Sequence, residues 1–134
     1  MIRLAGTLGF LGVALGAFGA HGLRDRLAPG MLDVYKTGVL YHLLHAVALL
    51  AVALGAERSP SGTSGPPHPA SSPLASRALV ARPRAVAALW AAGVVVFSGS
   101  LYALALTGVT TLGAVAPIGG LLLMAGWVTL AINR

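Results

Sequence analysis

The sequence predicts an all-α fold: four helices that cross a membrane, packed as one bundle with the N- and C-termini on the cytoplasmic side. Three observations predict it. Only 9% of the 134 residues are charged, while 57% are hydrophobic. A soluble globular chain carries about 25% charged residues, so the shortfall points to a bilayer as solvent. Four apolar runs stand at about residues 4–22, 37–55, 84–106 and 112–132, each close to the ~20 residues that a crossing helix needs. The basic residues are divided unequally between the connections, as they are across a cytoplasmic membrane. The length fits a single domain, residues 1–134. The formal charge of +6 comes from scattered residues without an aromatic or Gly-rich motif beside them, which speaks against nucleic acid. Absence of cysteine excludes disulfides, thiol catalysis and Cys-ligated metal.

The first run, Leu4 to Ala20, is long and uncharged. A cleavable signal peptide is the alternative, with Ala17-Phe18-Gly19 as a cleavage site. The run exceeds a usual signal core and carries a patterned face: Gly9, Gly12, Gly16 and Gly19 recur at helical spacing. Such glycines let a second helix backbone come close in lipid. The polar stretch Leu23 to Lys36 follows, and Pro29 suits the first turn of a second helix. That helix contains Tyr41-His42-Leu43-Leu44-His45. Ionisable groups at membrane depth are functional candidates by default. Asp33, Thr37, Tyr41 and His45 recur at i, i+4 steps, with His42 beside them, and are expected to form one polar stripe facing the bundle.

Residues 57–83 turn Ser-, Pro- and Gly-rich and predict a disordered cytoplasmic linker; His68 within it is assigned no role. The third run contains Phe97-Ser98-Gly99-Ser100-Leu101-Tyr102. The fourth contains Pro117-Ile118-Gly119-Gly120, expected to kink or locally unwind the helix. Arg3, Arg58, Arg77, Arg82, Arg84 and Arg134 fall on one side of such a topology. Arg24, Arg26 and Lys36 fall on the other, offset by Asp25 and Asp33, so both termini are predicted cytoplasmic. Trp90 and Trp127 are then expected at the inner interface.

Placing residues by the ~1.5 Å helical rise gathers His21, Tyr41, His42, His45, Ser98, Ser100, Tyr102 and the Pro117 break in the outer half of the bilayer, over an apolar inner half. Plainer readings stand beside this one. Ser98 and Ser100 can bond to carbonyls of their own helix, Tyr41 and Tyr102 can be interface anchors, and buried histidines can be neutral and bonded across helices. His21, His42 and His45 form an incomplete ligand set for a metal or haem, so no cofactor is assigned. With no acidic residue in the spans, no catalytic group is assigned and the chain is read as a non-enzyme.

Four blocks together resemble one family. Gly16-Ala17-Phe18-Gly19-Ala20-His21-Gly22-Leu23 looks like its signature at the end of the first span. Thr37 to Ala46 looks like its second block. Phe97 to Tyr102, and Pro117-Ile118-Gly119-Gly120 followed by Ala125-Gly126-Trp127, look like the third and fourth. The chain resembles the domain-of-unknown-function 423 family of small YgdD-like inner-membrane proteins, similar to eukaryotic transmembrane protein 256. The resemblance leaves out the linker, which is longer here than the family usually has. His42 also departs, since that position is often Gln, which favours a hydrogen-bonding role. The resemblance implies a four-helix multi-pass protein of the inner (plasma) membrane and brings no activity. Three functions are compatible: an accessory protein that meets the lipid bilayer and a membrane protein partner or homo-oligomer, an oligomeric path for protons, ions or small solutes, and a His-ligated metal or haem protein.

Overall fold

The computed structural model describes residues 1–58 and 73–132, with side chains for 1–57 and 83–132. Most of the expected linker, including His68, lies outside the described residues. Among them stand four long helices: α1 (Ile2–His21), α2 (Met31–Arg58), α3 (Pro73–Thr107) and α4 (Ala116–Ile132), with a 3-10 turn at Thr110–Ala114 before α4. All four are long and apolar enough to cross a membrane.

The breaks between helices follow from local chemistry. Ala28-Pro29-Gly30-Met31 is a turn closed by a 3.0 Å bond from the Met31 N–H to the Ala28 carbonyl. Pro29 sits at its second position and Gly30, at φ +80°, at its third, the pattern of a type II turn. Pro29 therefore precedes α2 and does not open its first turn. Gly108, at φ +72°, ends α3 and donates to the Leu104 carbonyl at 2.8 Å. α3 begins at Pro73 and so takes in the last part of the stretch expected to be linker; Pro83 lies inside it. The run from Leu74 to Arg82 is rich in Ala, Leu and Arg, which favour helix.

The fourth span carries no mid-helix kink. α4 starts at Ala116, so Pro117 occupies the first turn, where its missing N–H has no intrahelical partner to lose. The chain breaks just before it, in the 3-10 turn.

Consecutive helices pack against one another, α1 on α2, α2 on α3 and α3 on α4, while α1 and α4 do not meet. Side chains from all four still share one core. Ala5 and Leu8 of α1, Ala46 and Leu49 of α2, Val86, Trp90 and Val94 of α3, and Leu123 of α4 are buried together. A second core of Leu23, Tyr35 and Ala105, joined by Tyr102, closes the end that holds the α1–α2 loop. The outside is apolar as well: Phe10, Val13, Leu40, Leu44, Val47, Val95, Leu121, Met124 and Val128 are exposed. In water so large an apolar surface would be untenable; in lipid it is the solvated face.

Glycine sets how closely the helices approach. A Cβ at Gly119 would strike the Phe97 backbone, and one at Gly126 would strike the Trp90 ring. On α1, added Cβ atoms would meet Leu43 at 2.6 Å from Gly12, Val39 at 3.2 Å from Gly16 and Tyr35 at 2.6 Å from Gly19. Gly9 has open space around it and does not join this contact.

Candidate functional site

The polar groups are organised by α2. Its inward face is Tyr35, Gly38, His42, His45, Ala46, Leu49 and Ala53, all buried. The expected stripe of Asp33, Thr37, Tyr41 and His45 does not face the bundle as a unit. Asp33 and Thr37 are exposed, Tyr41 is 39% exposed, and only His45 is buried. An i, i+4 row gains about 40° per step on a helix of 3.6 residues per turn, so three steps carry it a third of the way round. The buried face holds its direction by alternating steps of three and four. Thr37 Oγ1 donates to the Asp33 carbonyl at 2.9 Å, and Lys36 lies 3.7 Å from the Asp33 carboxylate, both on the surface.

His45, 2% exposed, is held at both ring nitrogens. Nδ1 lies 2.8 Å from the Tyr41 carbonyl, and Trp127 Nε1 lies 3.1 Å from Nε2. A carbonyl only accepts and an indole N–H only donates. His45 is therefore neutral, with its proton on Nδ1. Trp90 and Trp127 pack edge-on to its ring, with centroids at 5.9 and 6.1 Å, and Tyr41 stacks on it at 6.2 Å. The two tryptophans pack 4.7 Å apart; Trp127 stays 44% exposed. Trp90 is a core residue, admitted because Gly126 leaves room for its ring.

His42, 5% exposed, lies one turn nearer the α1–α2 loop end. Its Nδ1 is 3.3 Å from Tyr102 Oη of α3. Its Nε2 has no partner in hydrogen-bonding geometry, with the Leu8 backbone of α1 as a polar neighbour. Tyr102 in turn packs on Tyr35, centroids 4.9 Å apart. Tyr35 donates from its hydroxyl to the Leu15 carbonyl of α1 at 3.0 Å. Hydrogen bonds thus join α2 to each other helix: Tyr35 to α1, His42 to α3 and His45 to α4.

Of the remaining candidates, Ser100 donates to the Phe97 carbonyl of its own helix at 2.9 Å. Ser98 is buried, and its hydroxyl lacks a protein partner, as does Trp90 Nε1. Tyr41 packs on Phe97 at 4.7 Å. His21 is exposed at the end of α1, and Pro117 is exposed at the start of α4; neither joins the buried groups. Among the described residues no three of His, Cys, Asp and Glu come together to hold a metal ion. His45 stands at the midpoint of α2, and Trp127 lies past the midpoint of α4 toward its C-terminal end.

The sequence reading gives Tyr35 no role and does not place either tryptophan beside a histidine. Tyr35 was legible as the residue seven before His42, two turns away on the same face. Gly126-Trp127 was quoted as a block but carried no signal that its indole meets a histidine 82 positions earlier.

The chain matches the model of a protein family described as "Protein of unknown function (DUF423)" over residues 15–120. It is 36% identical over 131 residues to the UPF0382 membrane protein YwdK of Bacillus subtilis, covering 98% of this chain and 92% of the relative. A UPF0382 membrane protein of Haemophilus influenzae is 37% identical over 130 residues, covering 97% and 89%. The UPF0382 inner membrane protein YgdD of Escherichia coli is 31% identical over 141 residues, covering 99% and 87%. No solved structure matches significantly.

Proposed function

The chain belongs to the DUF423 family, and on that premise we propose that it is an accessory protein of the inner membrane which presents a lipid-facing flank of α1 to another membrane-embedded helix. One observation carries this reading. α1 packs on α2 and does not meet α4, so the bundle is open at that edge. Gly6 and Gly9 on this helix have nothing within 4 Å, and Phe10 and Val13 beside them are exposed. The internal polar network belongs to the helix contacts and leaves no arrangement of nucleophile, acid and base.

The basic residues support an orientation with both termini in the cytoplasm. The polar loop between α1 and α2, with Asp25 and Asp33, then faces outward.

A photo-crosslinking residue at Val13, in cells expressing the chain at native level, tests the docking. The expected result is a discrete adduct from Val13 that is lost with Gly9→Leu, and no adduct from Val95 on α3. A Val13 sample that stays free monomer, also after mild-detergent extraction, overturns the reading.

A further inference from the structure

Tyr35 and His42 stand seven residues apart on α2. Leu15 and Leu8 stand seven apart on α1, as do Gly19 and Gly12. Seven residues are two turns, which return a helix to nearly the same face, and the two helices run antiparallel. The same arrangement therefore occurs twice. At one rung Tyr35 lies over Gly19 and donates to the Leu15 carbonyl at 3.0 Å. At the other the Cδ2 edge of the His42 ring, the atom bonded to Nε2, lies 3.5 Å from where a Gly12 Cβ would stand. The Leu8 backbone is the polar neighbour of that ring. In each rung the carbonyl is four residues before the glycine. It already accepts the glycine N–H within the helix, keeps a second lone pair, and is uncovered because no Cβ stands over it.

We infer that His42 carries its proton on Nε2 and donates it to the Leu8 carbonyl, so that one imidazole joins α1, α2 and α3. The remaining contacts agree with this assignment. A neutral ring protonated at Nε2 has a lone pair at Nδ1, and Tyr102 Oη, 3.3 Å away, donates to it. A charged ring would be costly at this depth, and a buried Nε2–H without a partner would be costly as well. The result is a two-rung ladder that fixes the register of α1 on α2. The two buried histidines, three residues apart, carry their protons on opposite nitrogens: His45 on Nδ1, toward its own helix, and His42 on Nε2, toward α1.

Nitrogen-15 spectra of the full chain, labelled at histidine and reconstituted in phosphatidylcholine–phosphatidylglycerol bilayers, test this. Beside the signals of His21 and His68, two neutral rings of opposite tautomer are expected from His42 and His45, with the Nε2–H ring assigned to His42 by its loss in His42→Gln. Carbon-13 at the Leu8 carbonyl should show transfer to that proton. In Tyr102→Phe the His42 proton stays on Nε2, while the Nδ1 resonance shifts as its donor is lost; this assigns the ring even if His42→Gln fails to fold. A His42 proton found on Nδ1, a charged ring, or an Nε2–H that contacts water in place of Leu8 overturns the inference.

Discussion

His45 and His42 look equivalent in the sequence, two imidazoles one turn apart, yet they have different partners. His45 has both nitrogens bonded and two indoles against its ring. Replacing it with Leu strands the Trp127 N–H and removes the ring contacts with Trp90 and Trp127. A hydrogen bond between membrane helices averages about 0.6 kcal/mol and reaches about 1.7; the lost packing adds to that. His45→Leu is expected to lower the thermal midpoint in detergent more than His42→Leu does. Equal midpoints would refute the ranking. Tryptophan emission gives a local readout, since the chain's two tryptophans both contact His45. His45→Leu should change the emission of both, and Trp127→Phe should remove the signal of the bonded indole. At this scale the sequence marked His42 and His45 as unusual. The family resemblance set His42 apart as a position often held by Gln, but the partners Trp127, Tyr102 and Leu8 belong to other helices and were not legible.

At the scale of the element, glycine outweighs the polar contacts. A Cβ at Gly119 has no flexible side chain to displace, since it meets the Phe97 backbone. Overpacking of that kind costs ~1–3 kcal/mol, more than the average interhelical hydrogen bond. Gly119→Ala is therefore expected to lower the yield of folded protein and its thermal midpoint more than Ser98→Ala. A Gly119→Ala variant as stable as the parent would show that α3 and α4 can move apart freely. On α1 the same logic separates four residues that look alike. Gly12→Leu and Gly16→Leu should prevent α1 from docking, while Gly9→Ala should leave monomer stability unchanged, because nothing lies within 4 Å of Gly9. Protease protection of α1 in detergent micelles checks both. Added Cβ atoms at Gly12, Gly16 and Gly19 would meet side chains of α2. Gly9 stands seven residues before Gly16, on nearly the same face, yet nothing lies within 4 Å of it, so helical rotation does not set it apart.

For the whole molecule, the prediction concerns topology. Fusions of a cytoplasm-active fluorescent reporter to the C-terminus should fluoresce, and fusions of a periplasm-active phosphatase within residues 22–30 should be active. The reverse pattern would overturn the orientation drawn from the arginines. Four spans, their order and their apolar outer surface were legible in the sequence, since the bilayer imposes run length and excludes charge whatever the packing. The contacts of Trp90 and Trp127 with His45 were not legible, because depth along one helix says nothing about which neighbour fills the space beside it.

The sequence by itself determined the class of this protein and its family, because composition, run length and a set of local blocks are one-dimensional properties. Rotation of each helix and the pairing of its faces were decided only by the tertiary structure. They depend on atoms from distant segments meeting within a few ångströms: Trp127 on His45, Tyr35 on Gly19, and the Phe97 backbone against Gly119. Tyr41 turned toward the surface and Tyr35 toward the core for the same reason. The two stand about 120° apart round α2, and only packing against α1 and α3 fixes which of them faces inward.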